Sequence, residues 1–229
     1  MQIGTNLGIT NFRKNIEELK GKTDFVELYM PKIENISSLL PYKDHIQVVH
    51  LPDLNNSVYE ALEITNQLSA DKAIIHFFTY PQGNFETKIG MLRKLCVKAE
   101  EYDIQLCLEN TAENVRLMEI LFEYVPDLWF CLDIGHANLW NNHPVDFIDA
   151  FSSRLRHVHI HDNHGGFSED SDLHLAPGEG NIDFSEIFSA LSSIQYSELL
   201  TFERTPWDDN QRIIKVLDNI RMMVDGYDK

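Results

Sequence analysis

Short runs of apolar, or alternating apolar and polar, residues recur along the chain at positions 3–7, 25–30, 46–51, 73–78, 105–109, 129–134, 155–161 and 199–203. Each reads as a strand. Between them lie stretches such as 57–69, 86–102 and 112–124, whose apolar residues fall mostly at helical spacing, and 208–224 supplies a last helix. Alternating strands and helices predict a parallel sheet, and eight such units predict closure into a single (β/α)8 barrel spanning 1–229 as one domain. The stretch from 161 to 183, rich in Gly, Asp and Ser, is the longest connection, a length that in compact domains usually carries function.

In a barrel of this kind the chemistry gathers where the strands end, because eight separate elements converge there on one mouth. The strand ends read VVHLP with His50, IIHFF with His76, LCLEN with Glu109, FCLDIGH with Asp133 and His136, HVHIHD with His159 and Asp162, and LTFER with Glu203. Side chains alternate along a strand, so His157, His159 and His161 face the axis while Val158 and Ile160 face the helices. Taken singly, His50 or His76 reads as a hydrogen-bonded barrel histidine and Glu109 as half of an ion pair. Together they read differently. Several carboxylates buried side by side need a counter-charge, and few Lys or Arg stand near these strand ends, which leaves a metal ion. Mixed imidazole and carboxylate ligands suit Zn²⁺, Mn²⁺, Co²⁺ or Fe²⁺ better than Ca²⁺ and leave the choice among those four open. The long loop adds SDLHLAPGEGNIDF, from which Asp172 and His174 can reach the same mouth, whereas Gly178-Glu179-Gly180 reads as a tight turn before a helix capped by Asp183.

Bulk properties narrow the partners. A chain of 229 residues, 43% hydrophobic, is sized for one core, and three cysteines without a C-x-x-C pair read as buried thiols. The start, MQIGTNLGIT, lacks a signal-peptide pattern and no apolar run approaches a membrane span, so a soluble, cytoplasmic protein is expected. A formal charge of −17 repels a phosphate backbone and makes nucleic acid an unfavoured partner, although bound divalent ions would offset part of it locally. An interaction module built on Phe77, Phe78, Tyr80 and Trp140 is an alternative that barrel packing explains more simply; a homo-oligomer stays open.

The pieces LENTAEN, CLDIGHANLW, HVHIHDN and DLHLAPGEGNIDF, in this order across residues 46–204, resemble the xylose isomerase-like TIM barrel superfamily. That superfamily holds sugar isomerases and epimerases, dehydratases and the endonuclease IV type of abasic-site nuclease. Resemblance to its isomerases and epimerases implies a metal held by Glu109, Asp133, His159 and Glu203. It also implies proton transfer by Glu109 and Glu203 on a sugar or sugar-phosphate substrate, with His136 and Arg204 contacting that substrate. Resemblance to the nuclease implies a larger set: His50, His76 and Glu109 for one ion, the same core four for a second, and His136, Asp172 and His174 for a third. That set implies phosphoester hydrolysis, and between them the two patterns imply one to three ions, zinc or manganese foremost. The chain departs from both patterns. It is short and acidic for a nuclease, it has no arginine in HVHIHDNHGG where ketose epimerases place one, and only Lys72, Arg156 and Arg204 offer themselves to a phosphate. Isomerisation or epimerisation is the leading expectation, with phosphoester hydrolysis, then lyase or dehydratase chemistry, as alternatives.

Overall fold

Alternation along each strand decides what enters the barrel and what faces the helices. β1 (Gln2–Gly8), β2 (Val26–Tyr29), β3 (Ile46–His50), β4 (Lys72–His76), β5 (Gln105–Glu109), β6 (Trp129–Asp133), β7 (Leu155–Ile160) and β8 (Leu199–Phe202) pair in parallel in chain order, and β8 returns to β1. This closed parallel barrel is the (β/α)8 architecture that the strand pattern predicts. The structure, a computed structural model, describes residues 1–77, 84–205 and 209–227. Phe78, Tyr80 and Asp208, included in the expected strand, aromatic patch and last helix, lie outside the described residues.

The helical layer comprises α1 (Phe12–Leu19), α2 (Ile36–Leu39), α3 (Ser57–Leu68), α4 (Phe85–Glu101), α5 (Val115–Tyr124), α6 (Ile134–Ala137), α7 (Pro144–Phe151), α8 (Phe184–Ser193) and α9 (Asn210–Asp225). Asn84, Asn114, Asp183 and Asp209 start α4, α5, α8 and α9 by accepting backbone N–H bonds at the N-cap. Between β2 and β3 the layer thins to α2 flanked by short 3-10 turns, because Pro41 lacks the N–H with which α2 would continue. Among the described residues no helix is long and apolar enough to cross a membrane.

The outward set of strand residues, including Val26, Leu28, Val49, Ala73, Ile75, Leu106, Leu108, Leu132, Val158, Ile160, Leu200 and Phe202, packs under the helices in one continuous core. Burying a side chain of this size contributes about 1.5–3 kcal/mol, so most of the stability resides here. The inward set forms two tiers. Phe25, Val48, Ile74, Cys107, Cys131 and Leu199 make an apolar floor. Gly4 makes room for it, since a Cβ there would lie 2.7 Å from the Phe25 ring. Two residues later on the same six strands stand Glu27, His50, His76, Glu109, Asp133 and Thr201, so one pleat converts the floor into a polar ring. The pairing keeps the ring level: Tyr29 lies opposite His50, His76 opposite Glu109, and Asp133 opposite His159, which in turn lies opposite Thr201. All three cysteines are buried, and burial pushes the thiols of Cys96 and Cys107 up to about 12.

Candidate functional site

Glu109, at the end of β5, is fully buried at the centre of the ring. Its Oε2 lies 3.0 Å from His76 Nε2, 3.3 Å from His159 Nδ1 and 3.9 Å from His50 Nε2, while Oε1 lies 3.2 Å from His136 Nδ1. Burial alone would raise its pKa. The charges of His76 and His159 outweigh that and hold it well below the usual carboxylate range. His50 Nε2 and His76 Nε2 face each other at 3.1 Å, a spacing at which two ring nitrogens share a proton or address one cation.

Asp133 is fixed from several sides. Its backbone N–H donates to Asn110 Oδ1 at 2.9 Å, and its carboxylate caps α6 by accepting from the His136 N–H at 2.6 Å. His161 Nε2 lies 2.9 Å from its Oδ1, and His159 Nδ1 lies 3.7 Å from its Oδ2. Glu203 closes this group, with Oε1 3.7 Å from His159 Nδ1 and Oε2 3.5 Å from His174 Nδ1.

The long loop completes an outer group. His136 Nδ1 donates to the Asn110 carbonyl at 3.1 Å, turning Nε2 toward Asp172 Oδ2 at 3.2 Å, and His174 Nε2 lies 3.0 Å from the same oxygen. The His161 ring stacks on His174 with centroids 4.1 Å apart, and its Nδ1 lies 3.7 Å from Asp172 Oδ1. His174 holds this position with φ at +47°, a conformation uncommon for a side-chain-bearing residue. Overlapping sets of ligand atoms are therefore assembled, among them His50, His76 and Glu109; Glu109, Asp133 and His159 beside Glu203; His136, His161, Asp172 and His174; and Glu27, His50, His159 and Glu203. The donor chemistry fits a divalent cation, because Glu109 Oε1, His159 Nδ1, His161 Nδ1 and Asp172 Oδ1 are buried without a hydrogen-bond partner.

A cavity of about 750 Å³ opens beside the ring, and Asn6, Tyr29, His174, Glu203 and Arg204 are among its lining residues. Glu203 lines it; Glu109 does not. Arg204 is anchored at its wall, its backbone N–H donating to Asn6 Oδ1 at 3.0 Å and its Nε to the Asn6 carbonyl at 3.1 Å. A second hollow, over Ile9, Phe12, Pro41 and Tyr42, contains none of the ring residues.

Several sequence expectations are redirected. Lys72 opens β4 and pairs with Glu198 at 3.0 Å, and Arg156, near the start of β7, lies 4.0 Å above the Trp129 ring, so both belong to the end of the barrel opposite the mouth. Asp162 is not turned to a metal. Its oxygens accept from the N–H groups of Asn163, Gly178, Gly180 and Ile182 at 2.8–3.2 Å, so the Gly-Glu-Gly turn wraps the chain's own carboxylate. Phe77 is buried against Phe85 and offers no interaction surface. Two buried residues of the site, His161 and Glu27, carry no assigned role in the sequence. His161 was expected only to face the axis, and Glu27 is a lone acid in VELY whose signal was its inward register between outward Val26 and Leu28.

A profile of the family described as xylose isomerase-like TIM barrel matches residues 35–221. The chain belongs to that family. An uncharacterised protein of Methanocaldococcus jannaschii is 30% identical to this xylose isomerase-like barrel over 207 residues, covering 74% of this chain and 69% of that one. The crystal structure of a D-tagatose 3-epimerase-like protein superposes with a TM-score of 0.79 at 25% identity, covering 99% of each chain. A probable endonuclease 4 of Mycobacterium leprae is 32% identical over 101 residues, 39% of this chain and 40% of that protein.

One substitution probes the outer group. A Cβ on Gly135 would lie 1.9 Å from His161 Cε1, so Gly135→Ala is expected to expel that ring from between Asp133 and His174. If the outer group holds an ion, the variant should lose it, read as a metal-to-protein ratio below that of the wild type by elemental analysis. An unchanged ratio would place His161 outside the ligand set.

Proposed function

We propose that the chain, acting as one domain over 1–229, is a divalent-metal-dependent isomerase or epimerase of a sugar or sugar phosphate, using zinc or manganese. The observation that carries this reading is the position of Glu203, which faces the ligand group of Glu109, Asp133 and His159 on one side and the cavity on the other. The likeness to a D-tagatose 3-epimerase-like protein over the whole chain supports it. The metal, when bound, polarises a carbonyl and an adjacent hydroxyl of the substrate.

The chain's residues supply the rest. Glu203 removes or returns the carbon-bound proton at the cavity wall, and Arg204 and His136 orient substrate oxygens. Glu109, enclosed by His76, His136 and His159, serves first as a ligand, and shares in proton transfer only if substrate reaches past Glu203. Incubating the zinc- or manganese-loaded protein with a panel of ketoses and ketose phosphates in deuterated water should exchange one carbon-bound proton for deuterium. Glu203→Gln should lower that exchange by about 10²–10⁴-fold. A panel with no exchange would overturn the reading.

A second reading, phosphoester hydrolysis, rests on a separate observation: Glu109 stands between three groups, with Oε2 toward His50 and His76 on one side and His159 on the other, and Oε1 toward His136. A carboxylate so placed joins adjacent cations, and adjacent cations stabilise the attacking and leaving oxygens of a phosphoester. The local likeness to a probable endonuclease 4 points the same way. Three metals per chain with metal-dependent phosphate release would favour it; one metal bound by Glu109, Asp133, His159 and Glu203 would remove its support.

A further inference from the structure

Glu27 is fully buried at the bend between floor and ring, and three imidazoles converge on it. Its Oε1 lies 3.1 Å from His50 Nδ1, and its Oε2 lies 3.0 Å from both His157 Nε2 and His159 Nε2. His157 Nε2 also lies 2.9 Å from Thr201 Oγ1. An ionised carboxylate accepts hydrogen bonds and donates none, so each of these three nitrogens must carry the proton. In the neutral form that ligates a metal, an imidazole has one N–H, and the opposite nitrogen is then an acceptor. For His50 that nitrogen is Nε2, which faces His76 Nε2 and Glu109. For His159 it is Nδ1, buried without a hydrogen-bond partner and facing Glu109, Asp133 and Glu203.

We infer that Glu27 is a positioning residue that selects the metal-facing nitrogen of two ring histidines at once, Nε2 in His50 and Nδ1 in His159. His157 braces the same carboxylate, its Nδ1 buried without a partner and its ring edge-on to the floor residue Phe25. Its place is in the barrel wall, not in the ligand group around Glu109. One carboxylate thereby sets opposite tautomers on two strands, and this couples the His50–His76 group to the Asp133–Glu203 group through a residue whose oxygens face the far nitrogens of both rings. Removing the charge should release both rings together.

The inference rests on the reading that the ring holds metal, and the test separates the two. In zinc-loaded protein with ¹⁵N-labelled histidine, long-range proton–nitrogen spectra should show the proton of His159 on Nε2 and that of His50 on Nδ1. Glu27→Gln, which keeps the shape and retains one acceptor oxygen, should bind Co²⁺ or Zn²⁺ about 10–100-fold more weakly. It should also alter the visible absorption of the cobalt protein, with little change in the melting temperature of the metal-free chain. The proton of His159 on Nδ1, or unchanged affinity and cobalt spectrum in Glu27→Gln, would overturn the inference while leaving the metal reading intact. A wild-type chain that binds no Zn²⁺ would overturn both. Because the tautomers are read in the wild-type protein, the inference is decided even if Glu27→Gln fails to fold.

Discussion

Glu109→Ala is expected to strip the inner part of the ring of metal. The carboxylate is shared by the His50–His76 group and by the Asp133–His159 group, so its loss opens both. It also removes the negative charge against which His76, His136 and His159 are packed, leaving buried imidazoles to reject a cation. Altering a residue that only orients a ligand costs about 10–100-fold in affinity; removing this shared ligand should cost more than 100-fold. A metal at 100 times its dissociation constant adds about 2.7 kcal/mol to the folded state, so the wild type should melt at a markedly higher temperature with zinc than without. The variant should show almost none of that difference. Elemental analysis after dialysis and paired melting curves test this, and a variant that retains the full wild-type metal content would show that Glu109 joins nothing.

The metal-free protein should be most stable near neutrality and lose stability on both sides, whereas metal affinity should climb steadily with pH. On the alkaline side the main group is His174. Burial pushes its pKa down, but the hydrogen bond to Asp172 and the charges of Glu203, Asp172 and Asp133 raise it to about 9. A raised histidine contributes stability that is complete below about pH 6.5 and lost as pH climbs through about 9, amounting to at most about 3 kcal/mol. His136, also raised, works in the same direction. On the acid side burial lowers the pKa of His157 to about 4, so the unfolded chain takes up that proton first and stability falls from about pH 6.5 downward. Metal binding displaces the protons of His136 and His174, which is why affinity should rise across the window in which the metal-free fold weakens. Denaturant unfolding at pH 6.5 and 9 with chelator, beside zinc titrations at the same pH values, tests the opposed slopes. A metal-free fold that is more stable at pH 9 than at 6.5 would contradict the assignment.

Much of this was legible in the sequence because a barrel strand writes its two faces in alternate letters. The run 105–109 is β5 to the residue, and the other strand runs that lie wholly within the described residues fall within one or two residues of their elements. Glu109, Asp133, His159 and Glu203 come together as their strand-end positions implied. What stayed hidden depended on contacts distant in sequence. Asp162 has a ligand's chemistry, yet its lone pairs are taken by N–H groups from a turn 16 to 20 residues further on. Lys72 and Arg156 have the right charge, but they sit near the starts of strands, and end matters more than charge in a barrel. Glu27 was obscured by its neighbours. One acid among apolar residues reads as an exposed strand position until the partners His50, His157 and His159, from two other strands, are seen around it. The thin region between β2 and β3 was readable only from Pro41, a single residue against a longer apolar pattern.

The apolar floor under the ring makes the electrostatics of this barrel one-sided. Phe25, Ile74 and their neighbours form a low-dielectric plug that polarises poorly, so the field of Glu27, Glu109, Asp133 and Glu203 emerges mainly through the mouth. A chain charge of −17 adds to these carboxylates, and the imidazoles packed among them offset part of it. On the proposed reading, a sugar phosphate would enter more readily once a cation stands among these carboxylates, so the order of entry would be metal first and substrate second.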